Sequence, residues 1–222
     1  MWKEIIESKK AVLFDLDGTV VDSMWIWKQI DIDYFKRFDI VMPHTYQKEI
    51  EGLSFYETAL YTRDTYFPWR KTEELMNDWN DMAFDHYSTD VKPKEYVLPF
   101  LDYLKDKGYK LGMATSNSRT LCEATLRANG LIDMFDSILT GEDKAAGKPA
   151  PDVYLNSAAA LAVDPKQCLV FEDLCNGIIA GNDAGMTTVA VYDDYSHYSW
   201  DEKCRLADHN IMSYKEIVDE IY

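Results

Sequence analysis

Positive charge is in short supply in this sequence relative to negative. It sets 23 Lys and Arg against 39 acidic residues, a formal net charge of −16 over 222 residues. A surface of that sign repels a phosphate backbone, which excludes general nucleic-acid binding, and no local basic patch offsets it. A small anionic substrate is still admitted, because a bound cation inverts the field at a carboxylate cluster. Cysteine is also scarce. Cys122, Cys168, Cys175 and Cys204 show no tight metal-ligand spacing, so buried, reduced thiols are expected in place of a thiolate metal site. No apolar run, at the start of the chain or later, approaches membrane-spanning length. A soluble cytoplasmic protein, with no membrane partner and monomeric by default, is the expectation.

What the sequence does have is an ordinary apolar fraction, 47%, enough for one well-buried core, with or without a smaller insertion. The chain is organised around residues 11–23. Ala11-Val12-Leu13-Phe14 is an apolar run, followed by Asp15-Leu16-Asp17-Gly18-Thr19. The run reads as a buried strand that ends in a charged turn. Open parallel sheets bind their ligands beyond the carboxyl ends of such strands.

Residues 23–38 read as an amphipathic helix, and 46–60 and 72–87 as further helices, with Thr72 available as an N-cap. No strand is expected between 23 and 90, so this stretch reads as an all-helical insertion whose many aromatic residues mostly form its own core. Residues 91–95 read as the return linker, held out of helix by Pro93 and kept wet by Lys92 and Lys94. An α/β rhythm follows: helix 97–107, strand 110–114, helix 121–129, strand 137–140, a helix running to Leu161, a brief turn at 164–167, strand 168–171, helix 175–183, strand 187–191, and a capping box at Ser213-x-x-Glu216. About five core strands with intervening helices point to a Rossmann-like, doubly wound parallel α/β sheet with an inserted all-helical cap. The boundaries expected are 1–22 with 91–222 for the core and 23–90 for the cap.

Parallel strands place their carboxyl ends on one rim, so Asp15 and Asp17, Thr115 and Ser116, and Glu172 and Asp173, with Lys148 between the last two pairs, can meet in one pocket. Each has a plainer reading. The acids can cap turns or helix starts, Lys148 can be a solvated lysine, and Thr115 and Ser116 can cap the next helix. As a set they suit phosphoryl transfer. Oxygen ligands fit Mg2+, a lysine holds a phosphate oxygen, and hydroxyls with backbone N–H groups seat a phosphate. A carboxylate whose charge is offset can attack phosphorus. Asp15, nearest the rigid strand, is the better nucleophile, and Asp17 can pass a proton to and from the reacting oxygens.

The sequence resembles the haloacid dehalogenase superfamily, in its phosphatase and β-phosphoglucomutase branch. The resemblance rests on Phe14-Asp15-Leu16-Asp17-Gly18-Thr19, Ala114-Thr115-Ser116-Asn117, Gly147-Lys148-Pro149-Ala150-Pro151-Asp152, and Phe171-Glu172-Asp173 with Gly177. It implies Asp15 as nucleophile and Asp17 as general acid/base. It implies Gly18, Thr19, Thr115, Ser116, Asn117 and Lys148 around the phosphate. For Mg2+ it implies Asp15, Asp17 (through its backbone carbonyl), Glu172 and Asp173. The second aspartate, Asp17, points to phosphoryl transfer over dehalogenation. Sugar phosphomutases of the branch carry a cap histidine and an arginine after a Gly-x-Ser. Here those places are Trp27 and, in Glu51-Gly52-Leu53-Ser54-Phe55, Phe55, while Asn117-Ser118 stands where the family has Ser-Lys. A mutase needs a second anion site, for which Arg63, Arg70, Lys71, Lys92 and Lys94 are the substitutes on offer. The expectation is therefore a Mg2+-dependent phosphatase acting on a small phosphorylated metabolite through an aspartyl-phosphate. A β-phosphoglucomutase-like mutase and a catalytically silent binding protein are the alternatives.

Overall fold

The computed structural model describes residues 1–50, 55–143 and 147–222. The chain divides into two compact units, Met1–Met24 with Val91–Tyr222, and Trp25–Asp90. The first contains β1 (Ala11–Phe14), the short β2 (Val21–Asp22) and β3 (Lys92–Pro93), β4 (Lys110–Ala114), β5 (Ser137–Leu139), β6 (Cys168–Glu172), β7 (Thr187–Val191) and β8 (His209–Ile211). Its helices include α1 (Trp2–Glu7) and, beyond the insertion, α6 (Val97–Asp106), α7 (Arg119–Ala128), α8 (Asp152–Ala160), α9 (Cys175–Asp183), α10 (Trp200–Leu206) and α11 (Lys215–Ile221). The second unit holds α2 (Ile26–Arg37), α3 (Tyr46–Glu49), α4 (Phe55–Tyr66) and α5 (Thr72–Thr89).

Six strands form one parallel sheet in the order β5-β4-β1-β6-β7-β8. Every residue of β1 is fully buried, as a strand covered on both faces requires. Successive side chains point to opposite faces, and the packing follows that alternation. Ala11 and Leu13 join Cys168 and Val170 in a cluster with Val153, Tyr154 and Ala158 of α8 and Ala180 of α9. Phe14 stacks on Phe171 at 5.1 Å and meets Phe100 of α6 edge-on at 6.1 Å, and Phe171 in turn packs on Tyr214 before α11. The sheet is doubly wound. Register sets its rim: Phe14 is opposite both Met113 and Phe171, so β1, β4 and β6 run out at the same level.

The sixth strand, β8, carries His209 and Asn210 at the sheet edge and was not among the expected strands. The expected return linker is itself paired, with Val21 opposite Pro93 and Asp22 opposite Lys92 in an antiparallel ribbon. Lys94 is not a wet linker lysine either, since its Nζ meets Asp193 Oδ2 at 2.7 Å and the carbonyl of Tyr192 at 2.8 Å.

Within the insertion, no strand occurs among the described residues. The single helix expected over 46–60 is two, α3 and α4, and residues 51–54, which include the Gly-x-Ser segment, lie outside the described residues. Thr72 is the first helical residue and not the cap. Lys71 takes the N-cap place, its amide donating to Glu74 Oε2 at 3.1 Å. Tyr34, Phe35, Tyr46, Phe67 and Trp79 are buried and interlock edge to face at centroid distances of 5.0–5.8 Å. Trp27, Phe55, Tyr56, Trp69 and Phe84 are exposed, so the aromatic load is divided between core and surface. Two thiols, Cys122 and Cys168, are buried, Cys175 and Cys204 are half-buried, and all four are free. Among the described residues no helix is long and apolar enough to cross a membrane.

Candidate active site

The rim of the sheet gathers the acids. Asp15 follows β1 directly, its amide donating to the carbonyl of Phe171 at 3.1 Å. Glu172 ends β6 and Asp173 follows it. One carboxylate oxygen from each of these three buried residues lies within 4.8 Å of the others. Lys148, in the turn before α8, ties three strand ends together. Its Nζ donates to Asp15 Oδ1 at 2.6 Å, Glu172 Oε1 at 2.5 Å and the carbonyl of Ala114 at 2.9 Å. Those bonds account for all three ammonium protons. Its side chain is 8% exposed, so the solvated-lysine reading does not describe it.

Glu172 is fully engaged. Oε1 accepts from Lys148 and from the Tyr154 hydroxyl at 2.8 Å, and Oε2 accepts from the amides of Asp173 at 3.1 Å and Leu174 at 3.3 Å, at the start of α9. It is thus both a helix-terminal acid and the anchor of Lys148. Gly177 makes this possible, because a Cβ there would collide with the Glu172 carboxylate.

Asp173 differs. Oδ1 accepts from Thr19 Oγ1 at 3.3 Å, while Oδ2 is buried with no hydrogen-bond partner. Gly18 makes room for that oxygen. Its φ of +75° is in the left-handed region, and an added Cβ would strike the Asp173 carboxylate. A buried carboxylate oxygen without a donor is expensive. Burial first, then the charges of Glu172, Asp15 and Asp193, push Asp173 well above the ordinary carboxylate range, against the pull of Lys203. Burial likewise raises Asp15, with Lys148 opposing and Glu172 and Asp17 assisting the shift. Burial works against the charge of Lys148, but Asp15 and Glu172 outweigh it and hold the lysine above its usual value. Three acids against one lysine, with one acid oxygen unpaired, form a donor set that fits a hard divalent cation.

Asp17 stands apart from the three-carboxylate cluster. Its carboxylate accepts from Ser23 Oγ at 2.6 Å and from Asn117 Nδ2 at 2.9 Å, two donors that fix its orientation. Thr115 is buried at the end of β4, and its Oγ1 accepts from the amide of Asn117 at 3.0 Å, while Ser116 is exposed. Neither caps α7. That role falls to Ser118, whose Oγ accepts from the amide of Leu121. Thr115, Ser116, Thr140, Gly141 and Lys148 line a cleft of about 170 Å³, several times the volume of a water molecule.

Every core residue singled out in the sequence therefore lies along this rim, although Asp17 is not in the tight cluster. Sequence reasoning missed Tyr154, Ser23 and Lys203. Tyr154 carries the one available signal, a tyrosine on a buried helix face whose hydroxyl needs a partner. The substitutes for a second anion site are mostly engaged. Arg63 bonds Asp64 and Thr72, Arg70 bonds Glu74 and Asp78, and Lys94 bonds Asp193. Trp27 and Phe55 are exposed and touch edge-on, with centroids 5.7 Å apart.

Comparison with known proteins agrees with this geometry. The chain is 29% identical over 181 residues to Pyrophosphatase PpaX of Bacillus cereus (strain AH820), covering 82% of each chain. Its fold is similar to that of CbbY from Rhodobacter sphaeroides, solved in complex with phosphate (TM-score 0.77, 21% identity, 94% and 96% of the two chains). It is also similar to that of β-phosphoglucomutase from Clostridium difficile (TM-score 0.70, 22% identity, 96% and 98%). The sequence profile described as haloacid dehalogenase-like hydrolase matches residues 12–191. That span includes Asp15, Lys148, Glu172 and Asp173, and the chain belongs to the haloacid dehalogenase-like hydrolases, an enzyme with a phosphatase's carboxylate centre and an inserted helical cap.

Proposed function

We propose that the protein hydrolyses a small-molecule phosphomonoester in the presence of Mg2+, through a phosphorylated Asp15. The observation that carries this reading is the combination at the rim. Lys148 is bonded to Asp15 and Glu172, and Asp173 Oδ2 is buried beside them without a partner. The phosphate-bound neighbour and the pyrophosphatase relative support the same class of chemistry.

Asp15, Asp173 and the backbone carbonyl of Asp17 are the groups that would hold the cation, with Glu172 beside them. When bound, Mg2+ neutralises charge on the phosphoryl oxygens. Lys148 adds a fixed positive charge at the same place. The Asp15 oxygen that Lys148 does not hold attacks phosphorus. The bond to the leaving oxygen breaks as Asp17, steadied by Ser23 and Asn117, gives that oxygen a proton. Asp17 then takes a proton from water, whose oxygen attacks the same phosphorus. The Asp15–phosphorus bond breaks, and inorganic phosphate and the free carboxylate result. The Thr115 and Ser116 hydroxyls seat the non-reacting phosphate oxygens, while the amides of Gly18 and Thr19 hold the turn together by donating to the carbonyls of Val21 and Leu16.

A screen of phosphorylated metabolites, read as released phosphate with Mg2+ and again with chelator, tests the proposal. Release should vanish with chelator and fall at least about 10⁴-fold in Asp15→Asn, the scale seen when a nucleophile is removed. Release that survives Asp15→Asn overturns the covalent route. Conversion of a sugar 1-phosphate to its 6-phosphate with little release would assign a mutase.

A further inference from the structure

Lys203, on α10, has no exposed surface. Burying an ammonium carries a desolvation cost that its partners must repay, and an apolar side chain of similar volume fills such a place at less cost. What the lysine adds is directed charge. Its Nζ donates to the backbone carbonyl of Asp173 at 2.9 Å and to Ser196 Oγ at 2.9 Å. Ser196 Oγ donates to the same carbonyl at 3.3 Å. The Trp200 ring lies 5.4 Å from Nζ and closes the far side. Asp173 is also held from its other flank, where its amide donates to Glu172 Oε2 at 3.1 Å. Both peptide groups of Asp173 are thus fixed, which leaves its carboxylate facing the cluster with Oδ2 unpaired. No motif carries this arrangement. Lys203 lies 30 residues beyond Asp173 and reaches it from behind.

We propose that Lys203, acting with Ser196, is a positioning residue for the cation site: the pair clamps the Asp173 main chain so that its carboxylate is presented to the metal in one geometry. The inference rests on the reading of Asp173 as a cation ligand. Groups that orient a metal's ligands are typically worth about 10- to 100-fold in metal affinity when lost. That is the effect expected here.

The test titrates the full chain with Mn2+ alone and follows the electron paramagnetic resonance signal of the free ion. Wild type should bind at one site that Asp173→Asn abolishes. Lys203→Met, which fills the volume without the charge, should bind Mn2+ about 10- to 100-fold more weakly. Ser196→Ala should weaken it by a smaller factor. In turnover assays, raising Mg2+ should restore kcat in Lys203→Met while substrate KM at saturating Mg2+ stays near the wild-type value. If both variants bind Mn2+ as tightly as wild type, whatever happens to Tm, the positioning role is overturned and the metal reading stands. If Lys203→Met does not fold, Ser196→Ala decides by the same criterion. A wild-type chain with no Mn2+ site sensitive to Asp173→Asn overturns the metal reading and this inference with it.

Discussion

Among the described residues, the insertion and the sheet rim both bury carboxylates, and they solve the problem in opposite ways. In the insertion, Asp31 of α2 is 7% exposed and is the one buried carboxylate among the described residues there. It accepts from Gln47 Nε2 at 2.8 Å, and nearby the Tyr46 hydroxyl bonds Thr62 Oγ1 at 2.7 Å. At the sheet rim, Asp15, Glu172 and Asp173 are crowded within 4.8 Å around one lysine. Burial raises Asp31 and Asp15 alike, so desolvation does not distinguish them. The distinction is satisfaction. Asp31 sits in a polar network of neutral donors, as a core group does, whereas Asp173 keeps an oxygen that no described residue answers. A raised carboxylate is a functional signal only where neighbouring charge remains uncompensated.

The comparison can be broken most severely at Lys148. Lys148→Met removes the one cation among the described residues that is bonded to Asp15 and Glu172, and breaking a buried pair in this way costs about 3–5 kcal/mol. In chemical denaturation without divalent cation the core should lose stability on that scale, and added Mg2+ should return part of it. A variant as stable as wild type without metal would show that the rim acids are compensated as well as Asp31 is.

Asp31 provides the next largest effect. Burial raises it from 3.8 to about 6, with Gln47 and Tyr46 opposing. The folded state therefore binds its proton more tightly than the unfolded chain does. This contribution to stability is complete below about pH 4 and is lost as pH rises through about 6. At about 1.4 kcal/mol per unit, the loss is at most about 3 kcal/mol. Denaturation followed across that window should show the decline, and Asp31→Asn, which keeps an acceptor for Gln47, should flatten it. An unchanged slope in the variant would remove Asp31 from the account.

Gly18→Ala is the mildest probe. A left-handed φ costs an alanine roughly 1–2 kcal/mol, and the new methyl must displace the Asp173 carboxylate. Thermal unfolding should register the first effect, and a Mg2+ activation curve shifted to higher concentration the second. Loss of stability with no change in the Mg2+ curve would separate Gly18 from the cation site.

The sheet was legible because its central strands are continuous apolar runs. Ala11–Phe14 and Lys110–Ala114 match the sequence expectation residue for residue, and three charged or hydroxylic strand ends fall where a parallel register must bring them together. Two short pairings were not legible, although the three-residue β5 was. His209–Ile211 has an edge strand's polarity, and the two-residue pairing of Val21–Asp22 with Lys92–Pro93 leaves no periodicity to read. Nor could the sequence show which carboxylates are satisfied. Glu172 and Asp173 are adjacent and alike in type, and only the positions of Tyr154, the amides before α9 and Lys203 separate a saturated anchor from a carboxylate with an unpaired oxygen. In the insertion, apolar spacing predicted helices but not which rings face inward, because Trp27 and Trp79 occupy equally helical positions and only Trp79 is buried.

The ribbon of β2 and β3 has a consequence for how this architecture can change. The outgoing and returning chains are hydrogen-bonded neighbours at its base, so to the sheet the residues between them are the contents of a single hairpin. Their number and sequence can drift, or be replaced wholesale, without shifting the alignment of β1 against β4 and β6. The carboxylate centre and the insertion are thereby free to evolve on separate clocks.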